Sequence, residues 1–353
     1  MLCVGIDLHA RTFSYAVVDE DCKVIFEATL PTSCENLREA MEAIEAEKRV
    51  VFEESDLASW AYRVLEPYVD ELIVADPKEN HWISKKDQRI HDRLAARKLA
   101  KLLRGGFIHP VHHTSDAERQ VFKSLVLGYH DACRELGRVK NKLKARFRQH
   151  GVICSGSTVY GTSDREAWLS RLELSGARLH ARLLFETMDH LERQRHTLRE
   201  EIQRRSIKYK EIARFQEVPG IGLIRAATFH AIIDTPHRFA HKRKVCSYCG
   251  IGIVEAKSAD KGGPQHLNRD GNRYLKDMAK GAASSAILGE NRFARQYERL
   301  LAKGKRPSMA RLTVARAIVS TLYAMWRDDA PYQPPAEGDP RPWPPAHEEK
   351  GAE

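Results

Sequence analysis

The chain has no run of 18 apolar residues in its 353, so no membrane-spanning helix is expected. Nothing at its start reads as a secretion signal. Cysteine is sparse and odd in number: Cys3, Cys22, Cys34, Cys133, Cys154, Cys246 and Cys249. Scattered thiols without a leader argue against a disulfide framework and point to a reducing cytoplasm. The one CxxC, at 246–249, lacks two further ligands at matching spacing, so two half-buried thiols are expected rather than zinc. Acid is the scarcer charge, with 48 Asp and Glu against 58 Lys and Arg, a net charge of +10. That balance favours a polyanionic partner, although many unrelated proteins share it.

What is present divides by pattern. Residues 1–112 alternate strands and helices in the order βββαβαβα. "LCVGIDL", "FSYAVVDE" and "KVIFEATL" are joined by turn-length links and read as an antiparallel meander. "RVVFE" and "ELIVADP" precede helical crossovers, which places them parallel in the same sheet. The first and fourth strands then lie side by side. Residues 113–210 are helical, with a long helix over 116–149, a Gly/Ser-rich link and a second long charged helix over 178–210. The apolar seams fit a coiled-coil arm, and a solvated helical spacer stays open beside it. Residues 211–327 form a mainly α C-terminal domain. Its "VPGIGLIRAATFHAIID" reads as a helix-hairpin-helix in which Gly220 and Gly222 turn backbone amides toward phosphate, with a plain interhelical turn as the alternative. Residues 328–353 are rich in Pro and charge and read as a disordered tail.

Three acids carry the chemistry of the first domain. Asp7 ends the apolar strand "CVGID", and Glu53 ends "RVVFE". Strand alternation turns the neighbouring Glu54 to the other face. Carboxylates at the ends of adjacent apolar strands are costly unless paired or bound to a cation. Hard divalent ions take such oxygen ligands. In the amphipathic helix "IHDRLAARKLAKLLRGG" a third acid, Asp92, sits near the start. The residue that would share its face three positions on is Ala95. In the arm, Lys140, Lys142, Lys144, Arg146 and Arg148 cluster on one helix and are candidates for phosphate contacts.

Strand order and acid placement resemble the RNase H-like fold of RuvC-type nucleases, whose metal acids lie on the first strand, the fourth strand and the last helix. The whole series is similar to the DEDD transposases of insertion sequences. It comprises "VGIDLHARTFSYAVVD", "VVFEESDLASWAYRVL", "ADPKENHWISKKDQRIHDRLAARKLAKLLRGG", "VPGIGLIRAATFHAIIDTPHRF", "SYCGIG" and "GNRYLKDMAKGAA", in the family's order. The resemblance implies a RuvC-like catalytic domain whose acids Asp7, Glu53 and Asp92 bind Mg2+, and a serine nucleophile in the C-terminal domain. By position that serine is Ser258, with Ser247, Ser284 and Ser285 as competitors. It is followed by Ala259 where the family often has Gly. The family's Asp-x-x-Asp reads Asp92 and Ala95 here, as though the fourth acid had been replaced, by deliberate change in preference to natural variation. Further implications are double-stranded target and donor DNA, a structured noncoding guide RNA, a homodimer or tetramer, and a nucleoid-associated location in a bacterial or archaeal cytoplasm. The rival readings are a RuvC-like structure-selective nuclease using water as nucleophile, and a non-catalytic nucleic-acid-binding accessory protein.

Overall fold

The computed structural model describes residues 1–77, 92–114, 116–258, 261–268 and 270–334. Residues 78–91, which carry part of the "ADPKENHWISKKDQRIHDRLAARK" match, lie outside them, as do residues 335–353 of the expected tail. The chain divides into two compact units, Met1–Gln120 and Val121–Glu353.

In the first unit, β1 (Leu2–Leu8), β2 (Thr12–Val18), β3 (Val24–Pro31), β4 (Lys48–Glu53) and β5 (Glu71–Ala75) form one sheet in the order β3-β2-β1-β4-β5. β1, β2 and β3 are antiparallel neighbours, and β1, β4 and β5 are parallel. The sheet is therefore mixed, with the first and fourth strands adjacent as the pattern predicts. This arrangement is compatible with an RNase H-like domain. Both faces are covered, which explains why the central strands read as nearly unbroken apolar runs. Val4, Ile6, Phe13, Val50 and Phe52 pack beneath α1 (Cys34–Glu42) and α2 (Ala58–Leu65). Ser33 caps α1 by accepting the Asn36 amide at 3.1 Å. On the other face Cys3, Val18, Val51 and Ala75 meet Leu99, Ala100 and Leu103 of α3 (Asp92–Arg104).

The second unit is helical apart from one hairpin. It contains most of α4 (Ala117–Gln149), then α5 (Arg165–Leu169), α6 (Ser175–Ser206), α7 (Lys210–Phe215), α8 (Leu223–Ile233) and α9 (Lys242–Tyr248). The strands β6 (Ile253–Ser258) and β7 (Lys261–Leu267) follow, then α10 (Arg273–Ala286), α11 (Arg292–Ala302) and α12 (Pro307–Arg327). Every residue of α8 from Ala226 to Ile233 is buried, so this helix is the centre of the unit.

The boundary expected at 210 does not divide this unit. Phe122 and Val126 of α4 and Ile202 of α6 belong to the same core as Phe229, Leu275 and Ile318. The far ends of α4 and α6 have a core of their own: Leu136, Leu143 and Phe147 meet Phe185 and Met188 around Val159, Trp168 and Leu169. Gly128 lies over Leu198, and Lys140 bonds Glu192, so the two helices run antiparallel. The start of the expected tail is also held. Asp329 accepts hydrogen bonds from Lys210 at 2.7 Å and Arg214 at 2.6 Å, and the Tyr332 amide donates to Glu217 at 3.1 Å. Among the described residues no helix is long and apolar enough to cross a membrane.

Candidate metal centre and serine hairpin

The acidic end of the first sheet is set by register and by one glycine. Asp7 is opposite Ser14 in the β1–β2 pairing. The parallel pairing of Ile6 with Phe52 carries on to stand Glu53 beside Asp7, on the face that also bears Cys3 and Val51. That face is covered by α3. At Gly5 a Cβ would overlap the Ala96 carbonyl and the Ala100 amide, so only glycine lets the α3 backbone come this close to β1. Asp92 is thereby brought over the end of the strand.

One donor atom from each of Asp7, His9 and Asp92 lies within 4.8 Å of the others, and this is the metal-capable group found among the described residues. His9 Nε2 is 3.3 Å from Asp7 Oδ2. Burial raises the pKa of Asp7. His9 opposes that shift by charge and hydrogen bonding, and Asp92 adds to it by like-charge repulsion. A half-buried carboxylate pressed against a second one is relieved by a cation, so the donor set fits a divalent ion. Glu53 is exposed and stands outside the 4.8 Å group, although it shares the face. Glu54 turns elsewhere, its carboxylate 3.5 Å from His113 Nδ1. Ala95 is half-buried on the stripe of α3 that holds Asp92 and Leu99, and offers a methyl group where an acid would add an oxygen.

Beside the acids, Ser14 is buried and shares a 2.8 Å hydrogen bond with Thr29, and Arg93 donates to Thr29 Oγ1 at 3.2 Å. Arg97 holds Glu27 of β3 with two guanidinium nitrogens. His9 and Arg93 were not apparent as site residues from sequence. The "DLH" spacing was the only signal for His9, and it places that residue beyond the strand end.

Ser258 lies in the second unit, at the end of β6, where its backbone pairs with Lys261 across the hairpin. Two competing serines hold structural bonds. Ser247 Oγ accepts from Asn268 at 3.1 Å, and Ser285 Oγ accepts from Arg225 at 2.9 Å. Ser284 is exposed on α10. The Gly220 turn faces α10: its φ is +87°, and a Cβ there would overlap the Ala282 carbonyl. Arg225 donates to the Gly220 carbonyl at 2.7 Å, and a Cβ at Gly222 would meet open space. The five arm cations do not share one role. Lys140 bonds Glu192 at 3.0 Å, Lys144 bonds the Gly156 carbonyl at 2.5 Å, and both lie over the Tyr160 ring. Lys142 and Arg148 are exposed, Arg148 donating to the Lys144 carbonyl at 3.3 Å, while Arg146 donates to Gln149 at 2.6 Å. Cys246 and Cys249 are buried and free, and burial raises both thiols' pKa.

A mixed sheet with acids at the ends of its first and fourth strands and on the helix laid across it is compatible with the RNase H-like class and offers a possible acidic metal site. The DEDD transposase model named for IS110 matches residues 4–151, and the model described as "Transposase IS116/IS110/IS902 family" matches residues 212–298. The chain belongs to the IS110 family of DEDD transposases. It is similar to an uncharacterized 43.6 kDa protein of insertion element IS110 from Streptomyces coelicolor, 29% identical over 33% of this chain and 29% of that protein. It is also similar to an uncharacterized 44.8 kDa protein of insertion element IS116 from Streptomyces clavuligerus, 26% identical over 34% of this chain and 30% of that protein. The chain thus spans about three tenths of the length of these curated relatives.

Proposed function

We propose that the protein is a DNA transposase of an insertion sequence, cutting and rejoining strands with Ser258 as nucleophile and with Asp7, Glu53 and Asp92 as metal-binding acids. The observation that supports this most directly is the packing of Asp7 against Asp92 at the end of β1, in a chain of this family. A divalent cation bound there, magnesium for an all-oxygen set, would polarise a phosphoryl oxygen. The Ser258 hydroxyl attacks phosphorus. Its Oγ–P bond forms as the bond from phosphorus to one sugar oxygen breaks, and the hydroxyl proton ends on the freed sugar oxygen. The phosphoserine link keeps the strand end for rejoining. Asp7 and Glu53 orient the phosphate through their shared face. Exposed Lys142 and Arg148, with half-buried Arg146, grip the backbone of double-stranded target and donor DNA, or of a structured noncoding guide RNA, without reading bases. Assembly as a dimer or tetramer suits the joining of several strands.

Ala95 leaves the acid set one carboxylate short, so this chain is a weak or inactive form. Ala95→Asp is expected to restore strand exchange and a covalent protein–DNA adduct visible on a denaturing gel. Ser258→Ala in that background should remove the adduct, by on the order of 10³-fold or more, while DNA binding survives. Normal strand exchange by the Ala95→Asp, Ser258→Ala protein would instead favour a nuclease that uses water. Full DNA binding with no strand exchange by Ala95→Asp would favour the accessory-protein reading.

A further inference from the structure

We propose that His9 is itself a ligand of the cation, supplying through Nε2 the donor that position 95 lacks, and that it turns the site's preference from magnesium toward manganese. This rests on the reading of the Asp7 end as a metal centre. Two donors held about 2.1 Å from one ion are separated by about 3 Å when at right angles and by about 4.2 Å when opposed. The 3.3 Å between His9 Nε2 and Asp7 Oδ2 is close to the right-angled spacing, and a carboxylate oxygen of Asp92 lies within 4.8 Å of a donor atom of each.

The ring is presented by a fixed backbone. His9 follows β1 in the link to β2, its amide donates to the Thr12 carbonyl at 3.1 Å, and its carbonyl accepts from the Thr32 hydroxyl at 2.7 Å. Both anchors lie on the meander, so His9 moves with the strand that carries Asp7. The side chain is 59% exposed, which leaves the rest of a coordination sphere open to water and phosphate oxygens. A purely electrostatic partner of Asp7 would need no third group. Here the His9 ring also lies close to Asp92, which adds a second carboxylate, and α3 offers a methyl group in place of a third. Imidazole suits first-row transition ions, whereas magnesium strongly favours oxygen. Exchanging a carboxylate for an imidazole therefore shifts the preference without abolishing binding.

The experiment uses the full chain and titrates it calorimetrically with MnCl2 and with MgCl2, alongside pulsed electron paramagnetic resonance of the manganese-loaded protein. Wild type is expected to bind Mn2+ at least about tenfold more tightly than Mg2+, with nitrogen modulation from one imidazole. Loss of even an outer partner of a metal ligand costs about 10- to 100-fold in affinity. His9→Ala should therefore weaken Mn2+ by at least about tenfold, abolish the nitrogen modulation and leave Mg2+ affinity nearly unchanged. Asp7→Asn should remove both ions. If Asp7→Asn removes binding but His9→Ala keeps full Mn2+ affinity, or wild type lacks nitrogen coupling, the His9 assignment is overturned and the metal centre stands. If wild type binds neither ion, or Asp7→Asn binds as well as wild type, both readings fall.

Discussion

The acidic end of the first sheet and the far end of the helical arm treat charge in opposite ways. In the arm, several charges are answered within the chain. Arg165 grips Asp189 with two guanidinium nitrogens, Lys140 reaches Glu192, and Lys144 reaches the Gly156 carbonyl. Asp189 accordingly has a lowered pKa, chiefly through its hydrogen bonds from Arg165. At the sheet end, Asp7 is desolvated and faces Asp92, and its pKa rises. A scaffold resolves its charges on folding. A site that awaits a ligand keeps some of them in conflict, and the ligand resolves them later.

That contrast depends on the closeness of α3 to β1, and the most damaging way to break it is at Gly5. Gly5→Ala would drive a methyl into the α3 backbone at Ala96 and Ala100. Overpacking of this kind costs roughly 1–3 kcal/mol, and backbone rather than a flexible side chain is the obstacle here, so the upper end is expected. Thermal unfolding of the first unit should fall accordingly, and metal binding should weaken as Asp92 is displaced. An unchanged melting temperature would show that α3 does not clamp the acids. Smaller in effect is a test on the arm. Replacing Lys142, Arg146 and Arg148 together with Gln should weaken DNA binding about tenfold at moderate salt and flatten its log–log salt slope by about 2–3. Lys140→Gln and Lys144→Gln should barely move that slope, because those ammonium groups are already engaged. Equal slopes for all five would erase the distinction between Lys140 and Lys144, which are held across the arm, and the three cations that bond at most within their own helix.

The sheet was legible because alternation and crossover rules act over short distances. A three-strand meander followed by a helical crossover leaves β1 and β4 as neighbours, and a period of two puts Asp7 and Glu53 on one face while turning Glu54 toward His113. His9 escaped because alternation has no force past the end of a strand. What places it is a pair of backbone bonds to Thr12 and Thr32, the second of them 23 residues away. The arm misled for a related reason. Five cations within nine residues of one helix read as one set of candidates for phosphate contacts, yet the partner of Lys140 is Glu192, 52 residues on. Gly220 read as a phosphate-facing turn, and its position against Ala282 of α10 depends on tertiary packing that no local pattern carries. Ser258 had no local signal at all and was reached only through the order of the family's motifs.

The mildest test sets the two aspartates against each other by pH in metal-free buffer. The folded pKa of Asp189 lies below its ordinary value of 3.8, so its contribution to stability is present above that value and is lost as pH falls through the folded pKa. Asp7 has the reverse sign. Its folded pKa lies above 3.8, so its contribution is present below that value and is lost as pH rises through the folded pKa. At pH 7, Asp189→Asn should therefore destabilise the arm, by about 1–2 kcal/mol for a partly buried, bidentate pair. Asp7→Asn should stabilise the metal-free protein, raising its melting temperature by about 1–3 °C. Toward pH 3 the Asp7 difference should shrink, because that carboxyl approaches the neutral form that Asn mimics, whereas the Asp189 difference persists until pH falls through its folded pKa. Adding MnCl2 at pH 7 should reverse the order at Asp7, stabilising wild type and leaving Asp7→Asn unmoved. Stabilisation by Asp7→Asn that persists in saturating MnCl2 would mean that no cation relieves the conflict between Asp7 and Asp92.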